Sequence, residues 1–288
     1  MLATISKIAT RSILPSDRYI CSLLIRIICL HADKPRQNLW CYLLIKNVDM
    51  FQKVLFLLAF QVFINSTFAQ TKSSNPNSID LGLAIGNSEG TLAGAYIHNW
   101  RLGKRQKFEV GVGGRLTAYF GANQYYSTAP AKLTSGSTGP GVFFKENITA
   151  NMDTFLIAKP RVLAFNAMIN LGYHVGKNVT LGFNIDVIGF SVGSEKSGNY
   201  INGSQGQNTT GKPTPFNLLL VSDNDLGSLN SEFYGKYMLN EKLSVKAGFQ
   251  FLFTEYTTIT EVQQFPEPND RFRNKSGLFT IGVSLTLK

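Results

Sequence analysis

From Phe279 to Leu287 the chain alternates strictly, setting Phe279, Ile281, Val283, Leu285 and Leu287 against Thr280, Gly282, Ser284 and Thr286. Successive side chains of a β-strand point to opposite faces, so this spacing predicts a strand with one face in an apolar medium and the other in a polar one. The pattern recurs upstream. Leu243, Val245, Ala247, Phe249, Phe251 and Phe253 oppose Ser244, Lys246, Gly248, Gln250 and Thr254, over a length sufficient to cross a bilayer. Phe108, Val110, Val112, Leu116, Ala118 and Phe120 oppose Glu109, Gly111, Gly113, Arg115, Thr117 and Tyr119. In each strand the charges lie opposite the large apolar residues, which favours an apolar exterior over the apolar interior of a soluble, lipocalin-like carrier.

Residues 179–187 repeat the pattern, but after Val187 the apolar role passes to Ile188, Phe190 and Val192. That change of phase predicts a β-bulge. Weaker alternation over 79–86, 91–100, 162–174 and 228–239 brings the count to eight. The connections supply a separate argument, because an outer-membrane barrel has short turns on the periplasmic side and long loops outside. The turns near 102–105, 176–178 and 240–242 are short and polar, whereas 121–159, 193–226 and 257–276 are long. The fold class expected is all-β, an eight-stranded antiparallel up-and-down transmembrane β-barrel, with the long connections as loops without regular structure.

The barrel is expected over residues 79–288, behind a polar tether at 70–78. Before it, MFQKVLFLLAFQVFINSTFAQ from Met50 has one lysine, an apolar core and a small-residue end, the layout of a secretory signal over 50–69 with cleavage between Ala69 and Gln70. Residues 1–49 would precede a signal that works from the N-terminus, and are expected to arise from an upstream mis-start. They hold all three cysteines, Cys21, Cys29 and Cys41, and seven basic against three acidic residues. The mature chain is therefore free of disulfides and only modestly basic, which argues against nucleic acid as a partner.

The phrases LGKRQKFEVGVGGR, VGKNVTLGFNIDVIGFSVG and GLFTIGVSLTLK, with the signal ending FAQ, resemble small outer-membrane barrels of Gram-negative bacteria. The likeness is to the OmpA transmembrane-domain and OmpX class, and nearer still to outer-membrane β-barrel proteins of Bacteroidota. It implies residence in the outer membrane, insertion by the barrel assembly machinery, contact with lipid and lipopolysaccharide, and a monomer whose loops meet any surface partner. The resemblance departs at Leu287-Lys288, where such barrels commonly carry an aromatic residue.

A ring of eight strands has an interior just wide enough for side chains to fill. Glu109, Arg115, Asp186, Glu232, Lys236 and Lys246 fall on the lumen face, three acids and three bases. Buried charges are costly unless paired, so an ion network closing the lumen is expected. A narrow channel for small or hydrophobic solutes is the rival reading, and an outer-membrane lipid-modifying enzyme the other. No Ser, His and acid set gathers near the outer strand ends, so no catalytic residue, cofactor or metal is expected. Gly111-Val112-Gly113-Gly114 lies within a strand with no helix after it, unlike a nucleotide loop. Asp223-Asn224-Asp225 reads as a solvated turn. Tyr96, Trp100, Tyr173 and Tyr237 at inner ends, and Tyr119, Phe120 and Tyr256 at outer ends, suit two interfacial aromatic girdles. The run Phe216-Asn217-Leu218-Leu219-Leu220-Val221 is apolar without alternation. Phe216, Leu218, Leu219 and Leu220 are expected to cap the mouth or dock a partner.

Overall fold

A computed structural model describes residues 77–137, 145–203, 205–220 and 224–287. The upstream stretch, the signal with its Ala69–Gln70 cleavage pair, and nearly all of the tether lie outside the described residues. Among those described, thirteen strands form one antiparallel sheet that closes on itself. In chain order they are β1 (Asn77–Ile85), β2 (Glu89–Leu102), β3 (Phe108–Gly121), β4 (Gln124–Thr128), β5 (Thr154–Ile157), β6 (Arg161–His174) and β7 (Val179–Val192). Then come β8 (Lys196–Asn202), β9 (Gln205–Pro213), β10 (Phe216–Leu218), β11 (Leu229–Met238), β12 (Leu243–Thr258) and β13 (Arg271–Leu287). One short helix, α1 (Ala131–Ser135), follows β4.

Eight of these strands pair in sequence order, β1–β2–β3–β6–β7–β11–β12–β13, and β13 returns to β1 with Leu81 opposite Val283. They are the eight segments that alternate. The count of eight strands falls short of the thirteen present because the long connections are not structureless. They hold β4, β5, β8, β9 and β10, and hydrogen bonding extends β12 and β13 beyond their alternating cores. Five pairings, β13–β4–β5–β8–β9–β12, together with the β12–β13 hairpin, make a second cycle of six at the end carrying the long connections.

The phase change in β7 has a local cause. Ala167 of β6 faces Ile188 and the next residue, Met168, faces Asp186, so Val187 is the extra residue of a bulge. Its carbonyl accepts the Leu219 N–H at 2.8 Å. Below the bulge Leu181 and Ile185 lie on the outward face; above it Ile188 and Phe190 do.

The two faces of the long strands meet different media. Outward side chains such as Leu81, Phe108, Leu181, Phe249 and Phe279 are all more than half exposed, and they form an apolar belt. Inward positions are polar in the lower ring and aromatic above it. The buried apolar cluster runs from Ala84, Tyr119, Val162, Leu252 and Leu278, at the upper mouth of the eight-strand ring, to Tyr126, Phe155, Tyr200, Tyr256 and Phe272 within the six-strand ring. Tyr119 and Tyr256 are thus core residues, not members of an interfacial girdle. Tyr96, Tyr173, Tyr237 and Phe120 do face outward.

Candidate functional site in the lumen

Six inward side chains of the lower ring form a chain of alternating charge. Lys236 on β11 lies 3.1 Å from Asp80 on β1. Asp80 lies 3.4 Å from Lys246 on β12. Lys246 lies 2.9 Å from Glu232, and Glu232 lies 4.0 Å from Arg115 on β3. Arg115 ends the chain, 2.6 Å from Asp186 on β7. Three acids and three bases balance, and none of the six side chains is more than 13% exposed. Charges so far from water persist only when paired and hydrogen-bonded on their remaining atoms.

Polar neighbours supply those bonds. Asn166 Nδ2 donates to Asp186 at 2.8 Å, and the Asn230 amide donates to the same carboxylate at 3.0 Å. Asn184 accepts from Arg115 at 2.6 Å and donates to Glu232 at 3.0 Å. Ser284 donates to Asp80 at 2.6 Å. The Tyr234 ring lies 5.1 Å from the Lys236 ammonium and 5.0 Å from that of Lys246, close enough for cation–π attraction. Its hydroxyl donates to Asn170 at 2.6 Å. The ring fits only because Gly182 is opposite it; a Cβ there would come within 2.3 Å of Tyr234. A cavity of about 20 Å³ beside Asp80, Arg115, Glu232 and Lys246 has room for about one water.

Five of the six lumen residues named from the sequence meet in this chain. Glu109 does not. It sits at the inner end of the ring with His174, whose Nε2 is 3.2 Å from Glu109 Oε2 while Thr180 Oγ1 is 2.8 Å from Nδ1. The place expected for Glu109 is taken by Asp80. Sequence reasoning passed over it although Ser78 and Asp80 alternate with Ile79 and Leu81. Gly113, within the glycine run of β3, faces the neighbouring strand so closely that a Cβ would come within 2.1 Å of the Tyr96 carbonyl.

Above the charges the lumen is filled by rings. Tyr126 and Tyr256 meet edge to face with centroids 5.1 Å apart, and Phe272 lies 5.9 Å from Phe155 and 6.0 Å from Tyr200. Tyr200 donates to Asp153 at 2.6 Å, and Tyr256 to the Arg161 carbonyl at 2.9 Å. Two short segments, Gln124–Thr128 and Thr154–Ile157, supply Tyr126, Phe155 and Ile157 to this core, but neither QYYST nor TFLI alternates apolar with polar residues.

The apolar run does not cap the mouth. Phe216 and Leu218 belong to β10, paired with Phe190 and Ile188 on the wall of the ring, where both lie on its outward side. Asn217 between them is fully buried, accepting from Ser191 and the Ser228 amide and donating to Asn166 at 2.7 Å. Leu219 docks on the bulge, and Leu220 is half exposed. Asp225 is not a solvated turn residue. It is 3% exposed, takes the Leu220 N–H on its carboxylate, and its carbonyl accepts from Arg271 and Arg273.

No family model matches the chain, and no curated protein matches it in sequence. Among solved structures, it is similar to Neisserial surface protein A, at 10% identity over 75% of this chain and 99% of that one, with a TM-score of 0.33. It is also similar to Ail, the attachment invasion locus protein of Yersinia pestis, at 7% identity over 74% and 97%, TM-score 0.31. A third likeness is to the N-terminal β-barrel domain of Pseudomonas aeruginosa OprF, at 9% identity over 75% and 100%, TM-score 0.30. At these values the likenesses carry no argument, and the architecture stands on its pairings. With no water in a bilayer core, only helices and closed strand rings satisfy their backbone groups there. No helix among the described residues is long and apolar enough to cross. A closed antiparallel ring with an apolar belt outside and charges inside is the outer-membrane solution.

Proposed function

We propose that the eight-strand ring is a sealed transmembrane β-barrel and that the six-strand ring above it is a rigid extracellular head, giving the protein a structural and surface-interaction role. One observation carries this reading: two barriers stand in series across the same lumen, the alternating charges below and the aromatic core above. A channel needs a continuous wet path, and paired charges with a cavity of only about 20 Å³ among them, below packed aromatic rings, disfavour the narrow-pore reading. The role is non-catalytic. Outer-membrane lipid surrounds the belt, the barrel assembly machinery inserts the chain, and the absence of an open edge in the eight-strand ring supports a monomer.

The head should face the outside of the cell. Residues beyond the first 49 include no cysteine, so a single Phe265→Cys on the exposed 259–270 hairpin gives one thiol to label. Labelling by a membrane-impermeant maleimide in intact cells, with the protein in the outer-membrane fraction, is the expected result. A thiol labelled only after lysis would overturn the orientation.

A further inference from the structure

We propose that a small cavity at the inner end of the lumen binds one carboxylate group. The inference goes beyond the surface role proposed for the head, because the cavity lies at the other end of the eight-strand ring. It has a volume of about 60 Å³ and is lined by Ser78, Arg101, Glu109, His174, Thr180 and Lys236, among others. That is room for about four waters, or for the heavy atoms of a group the size of acetate.

Two side chains of the lining have donors to spare. Ser78 is 5% exposed, and its hydroxyl has no hydrogen-bond partner among the described residues. A buried hydroxyl in that state is destabilising, and an acceptor oxygen in the cavity would satisfy it. The Nε of Arg101 is also buried without a hydrogen-bond partner among them. Glu109 Oε2 lies 3.9 Å from that Nε, an ion pair too long to be a hydrogen bond, and is nearer to His174 Nε2, at 3.2 Å. The Nε–H of a guanidinium and its neighbouring Nη–H make a fork that matches the two oxygens of a carboxylate. Lys236 is not counted as a donor, because its ammonium is held 3.1 Å from Asp80 and 3.1 Å from Ser284 Oγ. Charge limits the ligand to one negative unit. The chain of six lumen charges above the cavity balances itself, which leaves Arg101 against Glu109 and the imidazole of His174 as the one group able to add a proton. That set can balance a carboxylate and not a doubly charged phosphate.

A small free acid and the terminal carboxylate of a peptide share this chemistry. The test uses the whole mature chain refolded in uncharged detergent micelles, with acetate and its neutral isostere acetamide as probes in saturation-transfer NMR. It is run at pH 6, in the range where histidines gain charge. Acetate should receive transfer and acetamide much less. Arg101→Gln should weaken acetate about tenfold, the loss of a charge-assisted contact. Ser78→Ala should weaken it too without lowering the midpoint of urea unfolding, because no bond within the protein is lost. Lys104→Gln, on the exposed turn that follows β2, should change neither. Heat-modifiable gel mobility identifies the folded variants. Arg101→Lys keeps the charge without the fork, so it should also weaken acetate and serves if Arg101→Gln does not fold. No transfer to acetate, equal transfer to acetamide, or undiminished transfer in a folded Arg101 variant would overturn the proposal. Displacement of acetate by N-acetyl-alanyl-alanine assigns the site to peptide termini, and its retention assigns it to small acids.

Discussion

Asp186 shows how closely each buried charge depends on its partners, because it accepts from Arg115, Asn166 and the Asn230 amide at once. Asp186→Ala strands Arg115 in the lumen and should cost about 3–5 kcal/mol in urea unfolding of the refolded protein. Combining Asp186→Leu with Arg115→Met removes both charges and should recover most of that loss. A single variant as stable as the parent would mean that the chain of charges is dispensable. Crowding works at the same scale. Gly182→Val drives a side chain into the Tyr234 ring and should cost about 1–3 kcal/mol by overpacking in the same assay. In the head, burial first, and the bond to Asp153 second, push the Tyr200 phenol up to about 12, and burial raises Tyr126 well above 10.0. Both folded values exceed the unfolded one, so their contribution is full below about pH 10; that of Tyr200 declines as pH rises to about 12, and that of Tyr126 declines with rising pH in the same sense. Phenolate absorbance from these residues should therefore appear together with loss of protease resistance in the head, not before it. The lumen charges were legible one residue at a time because each interrupts an apolar alternation. Glu109 was grouped with these charges although it lies at the inner end of the ring, because a pattern gives the face a residue occupies and not its height in the lumen.

At the scale of the element, the bulge in β7 does two jobs. It turns Ile188, Phe190 and Val192 outward, and it frees the Val187 carbonyl for Leu219. Deleting Val187 would send that upper half to the opposite face, since a one-residue shift inverts every side chain beyond it. The deletion variant should fail to give the heat-modifiable folded form on gels, whereas Val187→Ala should give it. The bulge was readable in the sequence because a change of phase within one strand has few other causes. The eight long strands were readable because an apolar outer face and a polar lumen impose opposite chemistry on alternate residues. The five short strands lacked that contrast. β4 has 5 residues and β5 has 4, and their partners come from distant parts of the chain, so nothing local marks them. β10 was misread for a related reason. In Phe216–Leu218 a single inward asparagine between two outward apolar residues is too brief to register as alternation.

At the scale of the molecule, two rings share the β12–β13 hairpin. The lower ring carries an apolar belt on its outside and paired charges in its lumen, the belt meeting lipid in the proposed barrel. The upper ring gives the strands within the long connections an aromatic core of their own. Loss of the charges alone should therefore leave the protein impermeable, because the aromatic layer still stands. The central claim is that this lumen is sealed, and single-channel recording of the refolded wild-type protein in planar bilayers tests it most directly. The account predicts no steady conductance steps under applied voltage, and regular, long-lived openings of uniform size would contradict it.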